Sequence, residues 1–149
     1  QQYLELADSK KEVYAHDVYE LMKVHRGQAN TGHQLYELVY YEVVSNDRYP
    51  IAAVELGRGE KTMKGSAVGD GPIDALYSAI ETMVGLDVHL KQYKINSVSR
   101  GTDAVGRVSI QIEYEGKMYS GRATDTDIIK ASALAFLNGI NAILLEATR

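Results

Sequence analysis

The chain has no cysteine, no tryptophan, a single phenylalanine and only two prolines in 149 residues. Without cysteine it has no disulfide, no thiol nucleophile and no thiolate metal site. This composition fits a reducing compartment, so we expect a cytoplasmic location. A basic run is also missing, because 16 lysines and arginines stand against 20 aspartates and glutamates, a net charge of −4. We therefore expect no nucleic-acid partner.

Long apolar runs are scarce as well. No stretch approaches the roughly 20 residues that span a bilayer, and the first residues lack the order of a signal peptide, so we expect no membrane partner. The length fits one globular domain with a short appendage. Because the chain begins without methionine and in the middle of a pattern, we expect it to be a piece of a longer protein.

Tyrosine dominates the aromatic residues, with eleven copies. Its ring supplies apolar area while its hydroxyl requires a polar partner. That combination suits a surface half buried against another subunit, and it suits a hydroxyl-rich sheet facing solvent equally well. Composition leaves both alternatives open.

The first 33 residues differ in pattern from the rest. Apolar residues spaced three and four apart around Val18 predict one or two short helices. Residues 26–33 are polar, contain two glycines and show no periodicity, which predicts a linker that we interpret as a mobile joint. We therefore expect a helical connecting subdomain with its linker over residues 1–33 and a second domain over residues 34–149.

From residue 35 onward the pattern is typical of strands and then of a helix. Residues 35–44, 51–56 and 61–68 predict three strands, with a turn over residues 57–60 between the second and the third. Pro72 suits a first helical turn, and apolar residues at spacings of three and four follow it up to Gly85, which predicts a helix ending there.

The same order recurs after a shift of 56 residues, without a gap. The aligned pairs include Gly65 with Gly121, Ile73 with Ile129, Ala75 with Ala131 and Ala79 with Ala135. Repeat one spans residues 35–90 and repeat two spans residues 91–146. The predicted fold class is α+β, with two three-stranded antiparallel sheets that each carry a helix. Because a unit of about fifty residues buries too little surface to be stable alone, we expect the two units to pack together and the chain to dimerise.

No catalytic or metal site is indicated. Asp125 and Asp127 could form a metal or acid–base pair, but their position before a helix favours capping. The histidines show no metal-ligand spacing: His16, His25, His33 and His89.

Residues 65–75 contain three glycines where a strand leads into a helix. The free amides at a helix N-terminus suit a carboxylate, and Asp70 and Asp74 would suit an ammonium group beside it. A ligand with both groups is an amino acid. Residues 121–127 repeat the arrangement with hydroxyls, acids and a helix start. A capped turn whose glycines are required by backbone geometry remains the alternative.

Several segments together carry a family resemblance. Residues 69–75 read GDGPIDA, residues 90–95 read LKQYKI, residues 101–104 read GTDA and residues 127–132 read DIIKAS, with Gly121 before the last of them. They resemble the C-terminal regulatory domain of the 2-isopropylmalate synthase and citramalate synthase family. Residues 5–13 are similar to the connecting subdomain of that family.

The resemblance implies a homodimer whose repeated units bind a feedback inhibitor, leucine or isoleucine, near the subunit interface. It also implies a parent acyltransferase with an N-terminal catalytic barrel that uses acetyl-CoA and a divalent metal such as Mg, Mn or Zn. This chain lacks the His-any-His pair of that metal site. We therefore expect the chain itself to hold no cofactor and to catalyse nothing.

We expect an allosteric regulatory domain of 2-isopropylmalate synthase that binds leucine. The alternatives are a citramalate synthase domain that binds isoleucine and a dimerisation module without a ligand. The effector carboxylate is expected at the helix starts after Gly69 and Thr124. The expected effector-binding residues are Gly69, Asp70, Gly71, Pro72, Ile73, Asp74, Ala75, Ser97, Ser99, Ala123, Thr124, Asp125 and Ile128.

Overall fold

The computed structural model describes residues 34–45, 48–100 and 103–147. The helical leader and the linker expected over residues 1–33 lie outside the described residues and remain predictions. The described elements follow one another as β1 (Tyr36–Val44), β2 (Ile51–Arg58), β3 (Lys61–Val68), α1 (Pro72–Val84), β4 (His89–Arg100), β5 (Asp103–Tyr114), β6 (Lys117–Asp125) and α2 (Ile128–Ala147).

The strands form two antiparallel sheets in sequential order, β1-β2-β3 and β4-β5-β6, and a helix follows each. This confirms the predicted α+β fold of two repeated units. The turn after β2 is tighter than predicted, because Gly57 and Arg58 still pair with β3 and only Gly59 and Glu60 form the turn. Gly59 has a φ of +67°, a conformation that favours glycine in a two-residue hairpin turn.

Strand pairing shows that the repeat has two different shifts. Val54 pairs with Gly65 and Ile110 pairs with Gly121, which preserves the shift of 56. In contrast, the partner of Val54 on β1 is Tyr41 and the partner of Ile110 on β4 is Tyr93, a shift of only 52. The four additional residues belong to the β4–β5 hairpin. Both first strands have a bulge at the same place, after Leu38 and after Leu90.

Each helix covers the inner face of its own sheet, and the two units share one core. Gly85 has a φ of +78° and donates its amide to the Glu81 carbonyl, which ends α1 as predicted. The rings of Tyr77 on α1 and Phe136 on α2 stack with centroids 4.1 Å apart. The largest fully buried apolar side chains are Phe136, Leu56, Leu76, Ile80, Ile110, Ile112, Leu137, Ile140 and Val108.

Helix α2 corrects the expectation that no apolar stretch is long enough to span a bilayer. It has 20 residues and a mean hydropathy of 1.7, so by length and composition it could cross a membrane. However, 56% of that apolar segment is buried inside the protein, where α2 contacts β5, β6, β1 and α1. A helix that is apolar nearly all round is expected where neighbours pack on several sides.

A buried asparagine also joins the two units. The Asn141 Oδ1 accepts the Tyr36 amide at 2.9 Å, and the Asn141 Nδ2 donates to the Tyr36 carbonyl at 3.0 Å. One side chain of α2 therefore satisfies both backbone groups of a residue on β1, 105 positions away. Buried backbone groups without such a partner are costly, so this contact fixes β1 against α2.

The helices lie very close to a glycine on the third strand of each unit. A Cβ at Gly65 would lie 2.7 Å from the Met83 Cγ, whereas a Cβ at Gly121 would overlap the Ala135 carbonyl and lie 2.6 Å from the Gly139 nitrogen. Met83 and Gly139 are related by the shift of 56. In the second unit the backbone of α2 therefore packs directly on the backbone of β6. In the first unit the Met83 side chain lies between α1 and β3 at the equivalent place.

Candidate functional site

The start of α1 is open. Gly71 occupies the N-cap position with extended backbone and, among the described residues, has no side-chain capping bond and no atom beyond its chain neighbours within 4 Å of where a Cβ would lie. Gly69 differs, because its Cβ would overlap the Ala75 nitrogen and lie 2.8 Å from the Ala75 Cα. Packing therefore requires glycine at position 69 but not at position 71. The Asp74 carboxylate folds back and accepts the Asp70 amide at 2.9 Å.

The start of α2 is closed by its own acids. The Asp127 Oδ1 accepts the Ile129 amide at 2.9 Å, and the Asp125 Oδ1 accepts the Asp127 amide at 2.9 Å. The Lys130 ammonium lies 3.8 Å from Asp125. Asp127 therefore caps the helix, as its position in the sequence favoured, and Asp125 holds the turn before it by accepting the amide of that N-cap residue.

Tyr41 reaches this second helix start from the other unit. Its hydroxyl donates to the Asp127 Oδ2, 86 residues away in the chain. The Asp127 carboxylate raises the pKa of Tyr41 to about 12, and the Tyr41 hydroxyl lowers the pKa of Asp127 below its usual value. The two helix starts therefore differ, because Asp127 corresponds to Gly71 under the shift of 56. At the N-cap position α2 has the Asp127 carboxylate and α1 has a glycine, while the nearby Asp74 carboxylate of α1 accepts the Asp70 amide instead.

The inner face of β4 is partly uncovered. Tyr93, Ile95 and Ser97 share the face of their buried partners on β5, yet Ile95 is 49% exposed and Ser97 is exposed. Within the described ranges no Cα of α1 lies within 8 Å of a Cα of β4, whereas α2 does approach β1. Large side chains bridge the gap instead, since the Tyr77 and Tyr93 rings meet with centroids 6.2 Å apart.

The structure brings some of the predicted site residues together. Residues 69–71 connect β3 to α1, and residues 72–75 form the first turn of that helix. Ser97 and Asp125 pair on either side of Gly106, and the Ile128 side chain lies over Gly106 so closely that a Cβ there would overlap its Cδ1. Ala123 is half-buried on the inner face of β6, next to this group.

Two predicted residues stand apart from this group. Thr124 pairs with Arg107 on the opposite, outer face of the second sheet, because side chains alternate along β6. Ser99 continues β4 and pairs with Ala104, and its side chain lies outside the described part of the structure.

The sequence reasoning missed Tyr41 and Tyr93. They correspond under the shift of 52 that governs the first strands, so the shift of 56 did not align them. Tyr93 makes a hydrogen bond of 2.6 Å with the Ser132 hydroxyl of α2. Each of the two tyrosines lies two residues beyond a bulge, which would have related them in the sequence. The bulges, however, became evident only from the strand pairing.

Removing the Tyr41 hydroxyl should weaken the contact between the units. Tyr41→Phe is expected to lower the free energy of unfolding by about 1 kcal/mol at neutral pH, because a charge-assisted hydrogen bond is lost at a partly exposed position. Since folding lowers the pKa of Asp127, this stabilisation is present above the unfolded pKa of about 4 and is lost as the pH falls through the folded value. Urea unfolding at pH 7 and below pH 4 measures both effects.

The neighbouring tyrosine provides the control for that substitution. The Tyr40 hydroxyl donates at 2.8 Å to Glu42 on the same strand and is exposed. Tyr40→Phe is therefore expected to change stability much less than Tyr41→Phe does, as is usual for an exposed position. Equal losses in the two variants would show that the contact between Tyr41 and Asp127 contributes nothing.

A separate shallow depression lies at the far end of α1, beyond its C-terminus. Its lining includes Asp87, His89, Glu113 and Glu115. It is remote from the predicted effector residues at the start of α1. In the part of the chain that the structure describes, no group of three or more histidine, aspartate or glutamate side chains could hold a metal ion.

Comparison with known proteins gives consistent matches. Residues 12–144 match the family described as the LeuA allosteric (dimerisation) domain. The 2-isopropylmalate synthase of Geobacillus sp. (strain Y412MC10) is 65% identical over 147 residues, 99% of this chain and 28% of that protein. Those of Sediminispirochaeta smaragdinae and Clostridium kluyveri are 39% and 37% identical, over 95% and 97% of this chain and 28% of each protein. The chain therefore spans little more than a quarter of these relatives.

Proposed function

The chain belongs to the LeuA allosteric (dimerisation) domain family, and on that premise we propose that it is the regulatory domain of a 2-isopropylmalate synthase and binds L-leucine as a feedback inhibitor. The observation that supports this most is the difference between the two helix starts. The α2 start contains the Asp127 carboxylate, and the equivalent position at α1 is the uncapped Gly71. A free carboxylate is the ligand that would complete α1 in the same way.

The residues around α1 match the other groups of an amino acid. The amides of its first turn and the helix dipole favour a carboxylate. Asp74 and Asp70 provide negative charge for the ammonium group. The exposed inner side chains of β4, Ile95 among them, offer an apolar surface for the leucine side chain, and Ser97 offers a hydroxyl. Binding sites typically combine an apolar lining with a few placed polar groups of this kind.

The proposal extends to the whole enzyme. We expect a cytoplasmic homodimer, with the effector near the subunit interface and the catalytic barrel in the part of the protein outside this chain. Leucine would inhibit by favouring one arrangement of the dimer, a coupling that is typically worth about 1–3 kcal/mol. Following the family resemblance, we assign the divalent metal and acetyl-CoA to the remainder of the enzyme.

Leucine binding is tested by thermal melting and titration calorimetry. L-Leucine should raise the melting temperature, since a ligand that binds only the folded state stabilises it, by an amount that grows with the logarithm of its concentration once that exceeds Kd. The same measurements with isoleucine and valine show how strongly the site prefers one aliphatic side chain over another. L-Leucinamide, which lacks the carboxylate, should have no effect. If none of the three amino acids binds, the chain is a dimerisation module rather than a sensor.

A single substitution separates binding from stability. Gly71→Asp gives α1 the same N-cap that Asp127 gives α2, and the extended backbone at position 71 accepts any residue. We expect stability to rise by a few tenths of a kcal/mol, as capping preferences predict. Leucine affinity should fall by more than about tenfold, because the new carboxylate competes for the same amides and repels the ligand.

The matched control alters the other helix start. Asp127→Asn retains a good capping side chain and removes the charge at α2, so leucine affinity should stay within about twofold of the wild type. If Gly71→Asp binds leucine as tightly as the wild-type chain does, the effector carboxylate does not lie at the α1 start.

A further inference from the structure

Among the described side chains, the outer face of the second sheet, opposite α2, includes a group of three cations. Lys94 and Arg122 flank Ser109 in one row of paired residues. In the next row on the same face, Arg107 lies between Asn96 and Thr124. Neighbouring strands lie about 5 Å apart, so the three side chains share one compact surface. We call this set of Lys94, Arg107 and Arg122 the basic face.

The equivalent positions of the first sheet are not basic. Under the shifts of 52 and 56, Lys94 corresponds to Glu42, Arg107 to Ile51 and Arg122 to Ser66. The two sheets have the same strand order and pairing, so the fold does not require cations there. The difference therefore calls for a reason other than folding.

Two of the three cations, Lys94 and Arg107, have incomplete partners within the described residues. Lys94 is exposed and Arg107 is half-buried, and no described carboxylate forms an ion pair with either. The Arg107 Nε is buried and has no hydrogen-bond partner in the described part of the chain. The Arg122 Nε donates to the Ser109 hydroxyl at 3.3 Å. An unsatisfied buried donor is costly, and an acceptor from outside would remove that cost.

The chemistry and shape of the basic face favour one class of partner. Guanidinium groups bind carboxylates through paired hydrogen bonds, and a lysine beside them adds charge. Small ligands prefer concave sites, whereas in the described ranges of the chain this sheet face is open and no helix covers it. A carboxylate-bearing protein surface fits these properties better than a small anion.

We propose that the basic face docks against an acidic surface of the enzyme that lies outside this chain. The inference rests on the proposed function, which supplies the larger enzyme. The effector site involves the start of α1 and the inner face of β4, so the basic face uses the opposite side of the second sheet. Both can be occupied at once, which a contact that reports effector binding to the rest of the enzyme requires.

Lysine acetylation tests the docking. With an acylating reagent in limiting amount, Lys94 should react at least fivefold more slowly in the full-length enzyme than in the 149-residue chain. Lys64 is the control, because it is exposed on the outer face of the first sheet, and its rate should be equal in both. Equal rates for Lys94 would overturn the proposal. Protection of Lys94 that develops in the isolated chain as its concentration rises would overturn it as well, since a second copy would then cover the face.

A charge substitution tests the mechanism of the contact. Arg107→Gln in the full-length enzyme should restore the Lys94 rate toward that of the isolated chain, and Lys64→Gln should not. Protection that persists in Arg107→Gln would show that the cations do not hold the contact. Leucine binding is measured on the same samples. If leucine does not bind while Lys94 is still protected, the proposed function is wrong and the docking proposal stands.

Discussion

Gly121→Ala is expected to destabilise the fold by at least about 3 kcal/mol. The added Cβ would overlap the Ala135 carbonyl and lie 2.6 Å from the Gly139 nitrogen, so the backbone of α2 itself must move away from β6. Such overpacking against backbone cannot be relieved by a change of rotamer. The measurement is denaturant unfolding followed by circular dichroism, with the midpoint and slope compared to those of the wild-type chain.

The repeat provides the control at the equivalent position. In Gly65→Ala the new Cβ meets the Met83 side chain, with the Cγ at 2.7 Å and the sulfur at 3.1 Å. Methionine is flexible and can shift, so we expect a loss of about 1 kcal/mol. If the two alanine variants lose equal stability, the close approach of α2 to β6 does not constrain the fold.

Asn141→Ala is expected to lower the free energy of unfolding by about 3 kcal/mol. The substitution leaves the amide and the carbonyl of Tyr36 without their partner, and Tyr36 is only 3% exposed. An unsatisfied buried group costs about 1–3 kcal/mol, and here two are created together. Hydrogen exchange at β1 should accelerate more than exchange at β5, because the bond holds β1.

Asn138 gives the comparison for this variant. It is half-buried on the same helix, and its Nδ2 donates to the Arg122 carbonyl at 2.8 Å within its own unit. Asn138→Ala should cost about 1 kcal/mol, the value of one ordinary hydrogen bond. A loss at Asn141 no greater than this would mean that its two bonds to Tyr36 contribute little to holding the units together.

Much of the fold could be predicted because its strongest signals are local or repeated. The helix that follows Pro72 and ends at Gly85 depends on backbone preferences within a few residues. The shift of 56 related the second and third strands and both helices directly. The apolar character of α2 could also be predicted from the sequence, but the number of elements that pack around this helix could not.

The candidate site was less accessible to sequence reasoning, because it depends on contacts between distant residues. The alignment of Gly71 with Asp127 was already present in the sequence, and with it the difference between the two helix starts. The contact of Tyr41 with Asp127 was not, since it requires β1 of one unit to lie beside α2 of the other. Thr124 illustrates a further limit: its position near a helix start suggested a ligand contact, and the alternation of β6 places it on the outer face.

The paired bulges after Leu38 and Leu90 bear on how the chain assembles. β1 and β4 are edge strands, so each pairs with a neighbouring strand on only one side within its own sheet. An inserted residue there kinks the strand and interrupts its regular ladder, a device that discourages the addition of a foreign strand. We therefore expect the proposed homodimer to form through side-chain surfaces rather than through a continuous β-sheet, because the bulges disfavour edge-to-edge strand pairing.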